Sequence, residues 1–124
     1  MRESTSWYLF LFAGLIIFVL LGLHMAIMHL DELLLALGTG YSDVLTFSSV
    51  LARSKQTFFM ISYIILLGAA LYHGLYGLRT ILLELNFTRR LQQFVTAVLL
   101  VAGVGLFVLG TYVAMAAYLL KTVN

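Results

Sequence analysis

Three long apolar segments separated by polar stretches dominate the hydrophobic pattern of this 124-residue chain. No Asp, Glu, Lys or Arg occurs in residues 4–30 or 94–120, and the middle segment carries a single charge, Arg79. A helix of about 20 apolar residues crosses the hydrocarbon core of a bilayer. The pattern therefore predicts transmembrane helices at about residues 7–30, 57–83 and 94–120, within one membrane domain, residues 1–124.

The first apolar segment is expected to stay in the mature protein. Its uncharged run is too long for a signal peptide, and no small-residue cleavage site follows it before Asp31. The longest polar connection then covers residues 31–56. The apolar residues 33–37 within it either prolong the first helix or lie along the membrane interface.

Composition supports the membrane assignment, since 63% of the residues are hydrophobic and 10% are charged. An ordinary soluble domain has roughly 45–50% apolar and about 25% charged residues. The seven Lys and Arg are scattered at segment ends rather than gathered in a patch, so nucleic acid is not an expected partner. The absence of cysteine excludes disulfides and iron–sulfur ligation within this chain.

The distribution of basic residues favours a cytoplasmic N-terminus. That orientation places Arg2, Arg79, Arg89 and Arg90 on the cytoplasmic side, against Arg53, Lys55 and Lys121 on the other. The bias is small, but the adjacent Arg89-Arg90 pair lies in a short loop, where the positive-inside rule carries most weight.

His73 is the main candidate for a functional residue, because it lies deep in the second apolar segment. An ionisable side chain at that depth is a functional hypothesis by default. Gly77, one helical turn later, leaves room on the same face for a flat group such as haem, whose commonest axial ligand is imidazole. A histidine hydrogen-bonded to a neighbouring helix explains the same pattern, and the residues alone do not separate the two interpretations.

The other two histidines lie in the first segment. His24 is about 26 Å from the start of that span by helix rise, and His73 is about 24 Å from the start of the antiparallel second span. The two imidazoles are therefore expected at different depths, too far apart to bind one iron. His29 lies about 140° round the helix from His24, so the two histidines are on different faces. Its hydrogen bonds are expected to be made by water or lipid headgroups; the alternative is a contact with a haem propionate or a quinone.

Arg79 lies near the boundary of the second span and has two interpretations. An arginine there ordinarily extends to the interface as an anchor; the alternative is a counter-charge for a haem propionate or a quinone oxygen. No ligand set at zinc spacing lies within a span, so haem iron is the metal to expect at these histidines.

The second segment resembles the hydrophobic anchor subunits of succinate dehydrogenase and fumarate reductase. Their His-x-x-x-Gly-aliphatic-Arg…acid signature is matched by His73, Gly77, Leu78, Arg79 and Glu84. The segment around Gly110 is similar to the smaller of the two anchors in two-anchor prokaryotic complexes, which are of the cytochrome b type. His24 lies where dihaem members carry a first-helix ligand. The sequence departs from many relatives at Glu84-Leu85, where they have an Asp-Tyr pair whose Tyr contacts quinone.

The resemblance implies an all-α integral membrane chain whose helices form part of a haem-binding bundle completed by a second anchor subunit. The complex would also contain an iron–sulfur subunit and a flavoprotein that oxidises succinate, in the prokaryotic cytoplasmic membrane. His73 and His24 would each ligate one haem b, and electrons would pass to menaquinone or ubiquinone. The chain itself would be non-catalytic, in a complex of the respiratory chain and the tricarboxylic acid cycle.

Two rivals remain at this point. A cytochrome b subunit of another quinone-linked complex, such as a fumarate reductase, hydrogenase or formate dehydrogenase, would also bind haem, although hydrogenase and formate dehydrogenase subunits usually have more histidines and a fourth helix. A non-redox membrane assembly subunit would bind none and would purify colourless.

Overall fold

Three helices make up the computed structural model, which describes residues 3–38, 52 and 56–120. They are α1, Glu3–Ala36; α2, Thr57–Leu83; and α3, Arg89–Leu119. Their rises of about 51, 40 and 46 Å each exceed the roughly 30 Å hydrocarbon core. Each helix is long and apolar enough to span, and the described residues include no strand. The all-α, three-helix membrane prediction is confirmed.

Helix α1 is longer than the predicted span because residues 3–6 precede that span and residues 31–36 continue it. Leucine and alanine favour helix strongly, so nothing in this stretch interrupts the hydrogen-bond ladder. The helix ends before Gly38, which has φ of +77°. A glycine in the left-handed region just after the last turn is a common helix stop. Of the polar connection, residues 39–51 and 53–55 lie outside the described part of the chain.

Helix α2 has the same bounds as the predicted segment, whereas α3 begins five residues earlier than residue 94. Arg89 and Arg90 therefore lie in the first turn of α3 rather than in a loop. The link between the helices is short and turns at Asn86, which has φ of 58°. Asparagine is one of the few non-glycine residues that adopts this conformation readily.

The helices lie in a row with α2 in the middle. Helices α1 and α3 both pack against α2, and within the described residues they do not contact each other. Neighbours run antiparallel: the start of α1 meets the end of α2, where Tyr72 Oη donates to the Ser6 carbonyl at 3.0 Å. At the other end of α2, Thr57 and Tyr118 hydroxyls share a hydrogen bond of 3.1 Å.

Small residues set the helix contacts, as expected where lipid removes the hydrophobic drive for helix association. Ala13 and Ala69 are the buried apolar residues among those described. On α3, Gly103 and Gly110 face Leu75 and Leu67 of α2, whereas Gly105 faces open space. The remaining apolar side chains whose burial is described are half-buried or exposed, and large exposed ones occur on all three helices. The chain is therefore an integral membrane protein that presents broad apolar surfaces to lipid or to other subunits.

Candidate cofactor-binding site

His73 faces α1 from the middle helix and is half-buried there. Its Nδ1 lies 3.0 Å from the main-chain carbonyl oxygen of Phe10. The Phe10 ring stacks on the imidazole, with 4.1 Å between ring centroids and 5° between ring planes. One residue of α1 therefore holds the imidazole both by its backbone and by its side chain.

The hydrogen bond to Phe10 decides which nitrogen carries the proton. A carbonyl oxygen only accepts, so Nδ1 is the donor, and in the neutral imidazole Nε2 keeps its lone pair. No hydrogen-bond partner of Nε2 occurs among the residues that the structure describes. Histidines that bind metals typically donate the other ring N–H to a carbonyl in this way, which fixes the ring and raises the basicity of the ligating nitrogen. His73 is therefore hydrogen-bonded to a neighbouring helix, which is the packing interpretation of its position. The same bond leaves Nε2 with its lone pair, so the imidazole also fits an axial ligand of haem iron.

Gly14 gives the imidazole its space. An ideal Cβ on this glycine would lie 3.0 Å from His73 Cε1 and 3.2 Å from Nδ1. Sequence reasoning missed both Phe10 and Gly14. The available signal was the Ala13-Gly14 pair in the first span, since small residues mark the points where membrane helices approach closely.

Gly77 also faces α1, and its observed neighbour is again Phe10. An ideal Cβ at Gly77 would lie 3.3 Å from Phe10 Cε2. Within the chain, the space left by this glycine is therefore used by an aromatic ring. The suggestion that Gly77 makes room for haem stays a prediction.

His24 lies half-buried on α1 and makes an edge-on contact with Tyr63 of α2, with 6.1 Å between ring centroids. Fourteen residues separate Phe10 from His24 along α1, and ten separate Tyr63 from His73 along α2. These separations correspond to about 21 Å and about 15 Å of helix rise. Nitrogens bound to one metal ion each lie about 2 Å from it. The structure therefore keeps the two histidines apart, at different depths.

His29 lies in α1 beyond the apolar window that ends at Ile27. Its Nδ1 is 3.4 Å from a carboxylate oxygen of Glu32, one turn later, and the two side chains are 63% and 68% exposed. The observed contact is a surface contact between two side chains of one helix. The suggestion that His29 contacts a propionate or a quinone stays a prediction.

Arg79 faces α3 rather than α1. Its Nε donates to Thr96 Oγ1 at 3.0 Å, and that hydroxyl donates in turn to the Gln92 carbonyl at 2.9 Å. His73 binds the opposite neighbour of α2, so the structure does not bring these two predicted site residues together. Within residues 3–38, 52 and 56–120, no group of three metal-ligating side chains forms either.

These features define a three-helix integral membrane protein with a half-buried histidine held between two of its helices. The chain is similar to the succinate dehydrogenase hydrophobic membrane anchor subunit of Archaeoglobus fulgidus. The two are 29% identical over 110 residues, which cover 89% of this chain and 86% of the relative. The similarity confirms the resemblance to succinate dehydrogenase membrane anchor subunits. No family model matches the chain, and no solved structure matches it.

Proposed function

We propose that this chain is a membrane anchor subunit of a succinate:quinone oxidoreductase and binds haem b jointly with a second anchor subunit. The observation that supports the proposal is the hydrogen bond from His73 Nδ1 to the Phe10 carbonyl, which leaves the lone pair of Nε2 available to a metal ion. The similarity over most of the chain to a succinate dehydrogenase anchor supports the choice of complex.

His73 would supply one axial ligand to haem iron. The second ligand would come from another chain, since His24 is about 15–21 Å away by helix rise. Haem, when bound, supplies one-electron transfer between the iron–sulfur subunit and a membrane quinone. The protein's own contribution is to hold a neutral imidazole in one tautomer and one orientation. Phe10 does this through its carbonyl and its stacked ring.

His24 would be the axial ligand of a second haem at the other depth. Its half-buried position against Tyr63 is compatible with that role. In the proposed complex, Gly77 is a candidate contact for the haem face. A contact of Arg79 or of His29 with a haem propionate or with the quinone, ubiquinone or menaquinone stays a prediction from the sequence alone, since the structure places His29 against Glu32 and Arg79 against Thr96.

The complex would contain a second anchor, an iron–sulfur subunit and a flavoprotein that oxidises succinate, in a prokaryotic cytoplasmic membrane with this chain's N-terminus inside. The broad exposed apolar surfaces of the three-helix row suit such partners. Catalysis of succinate oxidation would reside in the flavoprotein, and this chain would be non-catalytic.

The proposal is tested by a reduced-minus-oxidised spectrum, with haem quantified per complex, on the chain co-purified with its partners. Addition of succinate should reduce the haem, which separates this function from a hydrogenase or formate dehydrogenase cytochrome. In the His73→Ala variant the haem ligated by His73 should be lost, whereas His29→Ala should retain all haem. A colourless wild-type complex, or full haem content in His73→Ala, would refute the haem assignment.

A further inference from the structure

A groove of about 420 Å³ runs between α2 and α3. Its edge nearest α1 is formed by Tyr72 and Tyr76, which also contact Ser6 and Phe10 of α1. It extends from Gly68 and Phe107 to Arg79 and Thr96, and the side chains between them are almost all apolar. Gly68 and Arg79 are eleven residues apart, or about 16 Å along the helix, close to the roughly 15 Å thickness of one leaflet's hydrocarbon.

The end of the groove at Arg79 is polar and positively charged. A second depression of about 450 Å³ shares Arg79, Thr96 and Leu100 with the groove and adds Arg89 and Gln92. Two guanidinium groups and several hydrogen-bonding side chains therefore surround the place where the apolar groove reaches the end of the span. This is the charge distribution of an amphiphile's binding site, with a tail channel and an anion-binding head.

Neither arginine has a carboxylate partner among the described residues. Arg79 is half-buried and uses Nε to bond Thr96, which leaves its two terminal nitrogens. Glu3 and Glu84 line an adjoining depression on the α1 side, which shares Tyr76 and Arg79 with the groove, but neither carboxylate lies within ion-pair distance of Arg79. A guanidinium near the membrane boundary without an internal counter-ion favours an anion from outside the chain.

We propose that this groove binds an anionic phospholipid, with one acyl chain between α2 and α3 and the phosphate at Arg79 and Arg89. Arginine binds phosphate oxygens through paired N–H groups, and basic pockets between membrane helices are typical lipid-headgroup sites. A quinone has an apolar tail as well, but its neutral carbonyls do not need two guanidiniums. The proposal concerns a different face of α2 from His73 and does not depend on haem binding.

The test uses the complex purified with its native partners in mild detergent, stripped of lipid and titrated with phosphatidylglycerol or phosphatidylcholine. Bound lipid is counted by native mass spectrometry. The wild type should retain phosphatidylglycerol in preference to phosphatidylcholine. Loss of one charge-assisted contact in Arg79→Gln or Arg89→Gln should weaken that retention roughly tenfold.

Two matched control variants distinguish binding in the groove from the general effects of removing a positive charge or adding a large side chain. Arg90 is exposed next to Arg89 but does not line the groove, so Arg90→Gln should bind lipid as the wild type does. Val104→Phe should fill the tail channel and lower retention, whereas Val101→Phe, at an exposed position outside the groove, should not. Because Val104 and Arg89 are exposed, these variants keep the test valid if Arg79→Gln fails to assemble.

Four results would overturn the proposal. Equal retention of the two lipids would show that the site does not recognise the headgroup charge. Equal lipid retention in Arg89→Gln and Arg90→Gln would show that Arg89 does not bind the phosphate. Displacement of phosphatidylglycerol by added quinone, or no lipid retained because a partner subunit covers the groove, would assign this face to another occupant.

Discussion

The Nδ1 atom of His73 lies 3.0 Å from the main-chain oxygen of Phe10, so a side chain of α2 is oriented by the backbone of α1. That oxygen is free to accept even though Phe10 lies within a helix, because a carbonyl has two lone pairs. No side-chain substitution removes this acceptor. The orientation of the imidazole therefore depends on how closely α1 approaches α2, and Gly14 is the residue that permits the approach.

Gly14→Ala should displace the His73 imidazole. The new Cβ would lie 3.0 Å from Cε1, closer than ordinary carbon contacts, while the ring is held by a hydrogen bond and by the Phe10 stack. Overpacking of this kind typically costs about 1–3 kcal/mol. We expect reduced haem content and lower thermal stability of the complex. Gly22→Ala on the same helix, where nothing lies within 4 Å, is the matched control and should be close to wild type.

His24→Ala should remove only the haem at the other depth and leave the His73 haem spectrum intact. The expectation follows from the separation of about 15–21 Å between the two histidines. Haem quantification per complex with low-temperature difference spectra would measure it. If His24→Ala keeps every haem, His24 is a packing residue against Tyr63 and the complex needs one haem ligand from this chain.

Replacing His29 with alanine should change stability by less than about 1 kcal/mol, because exposed ion pairs contribute little. The pair with Glu32 is more than half exposed on both sides. Haem content and quinone reduction should both stay at the wild-type level. A selective loss of quinone reduction with intact haem would instead assign His29 to the quinone site.

Gly110→Ala should destabilise the contact between α2 and α3 by roughly 1–3 kcal/mol. An ideal Cβ at this position would overlap the Leu67 side chain, and at Gly103 it would lie 2.7 Å from Leu75 Cδ1. Gly105→Ala, which meets nothing in the described structure, is the control. Thermal unfolding of the purified complex would compare the stability of the Gly110→Ala and Gly105→Ala variants. Equal stability of the two variants would mean that the α2–α3 contact rearranges without loss.

Much of this fold is predictable from composition along the chain, because a bilayer restricts a spanning segment to a helix of sufficient length. The bounds of α2 and the different depths of His24 and His73 depend only on apolar run length and helix rise. The residues that contact His73 cannot be predicted in this way. Phe10 and Gly14 contact His73 only because α1 and α2 pack in one particular register. The spacing of apolar residues does not predict that register when every face of a helix is apolar. The hydrogen bond from Arg79 to Thr96 likewise depends on which helix packs against each face of α2.

Phe10 and Gly77 offer a test of whether the space beside His73 belongs to the protein or to haem. Gly77→Ala should be harmful while Phe10 is present, since the new Cβ would lie 3.3 Å from the Phe10 ring. In a Phe10→Leu background the same change should cost less, whereas Phe10→Leu alone should lose the ring stack, worth about 0.5–1.5 kcal/mol. A coupling of about 0.5 kcal/mol or more between the two substitutions in thermal unfolding would show that they share one contact. If Gly77→Ala lowers haem content equally in both backgrounds, Gly77 faces the haem, as its position one turn from His73 suggests.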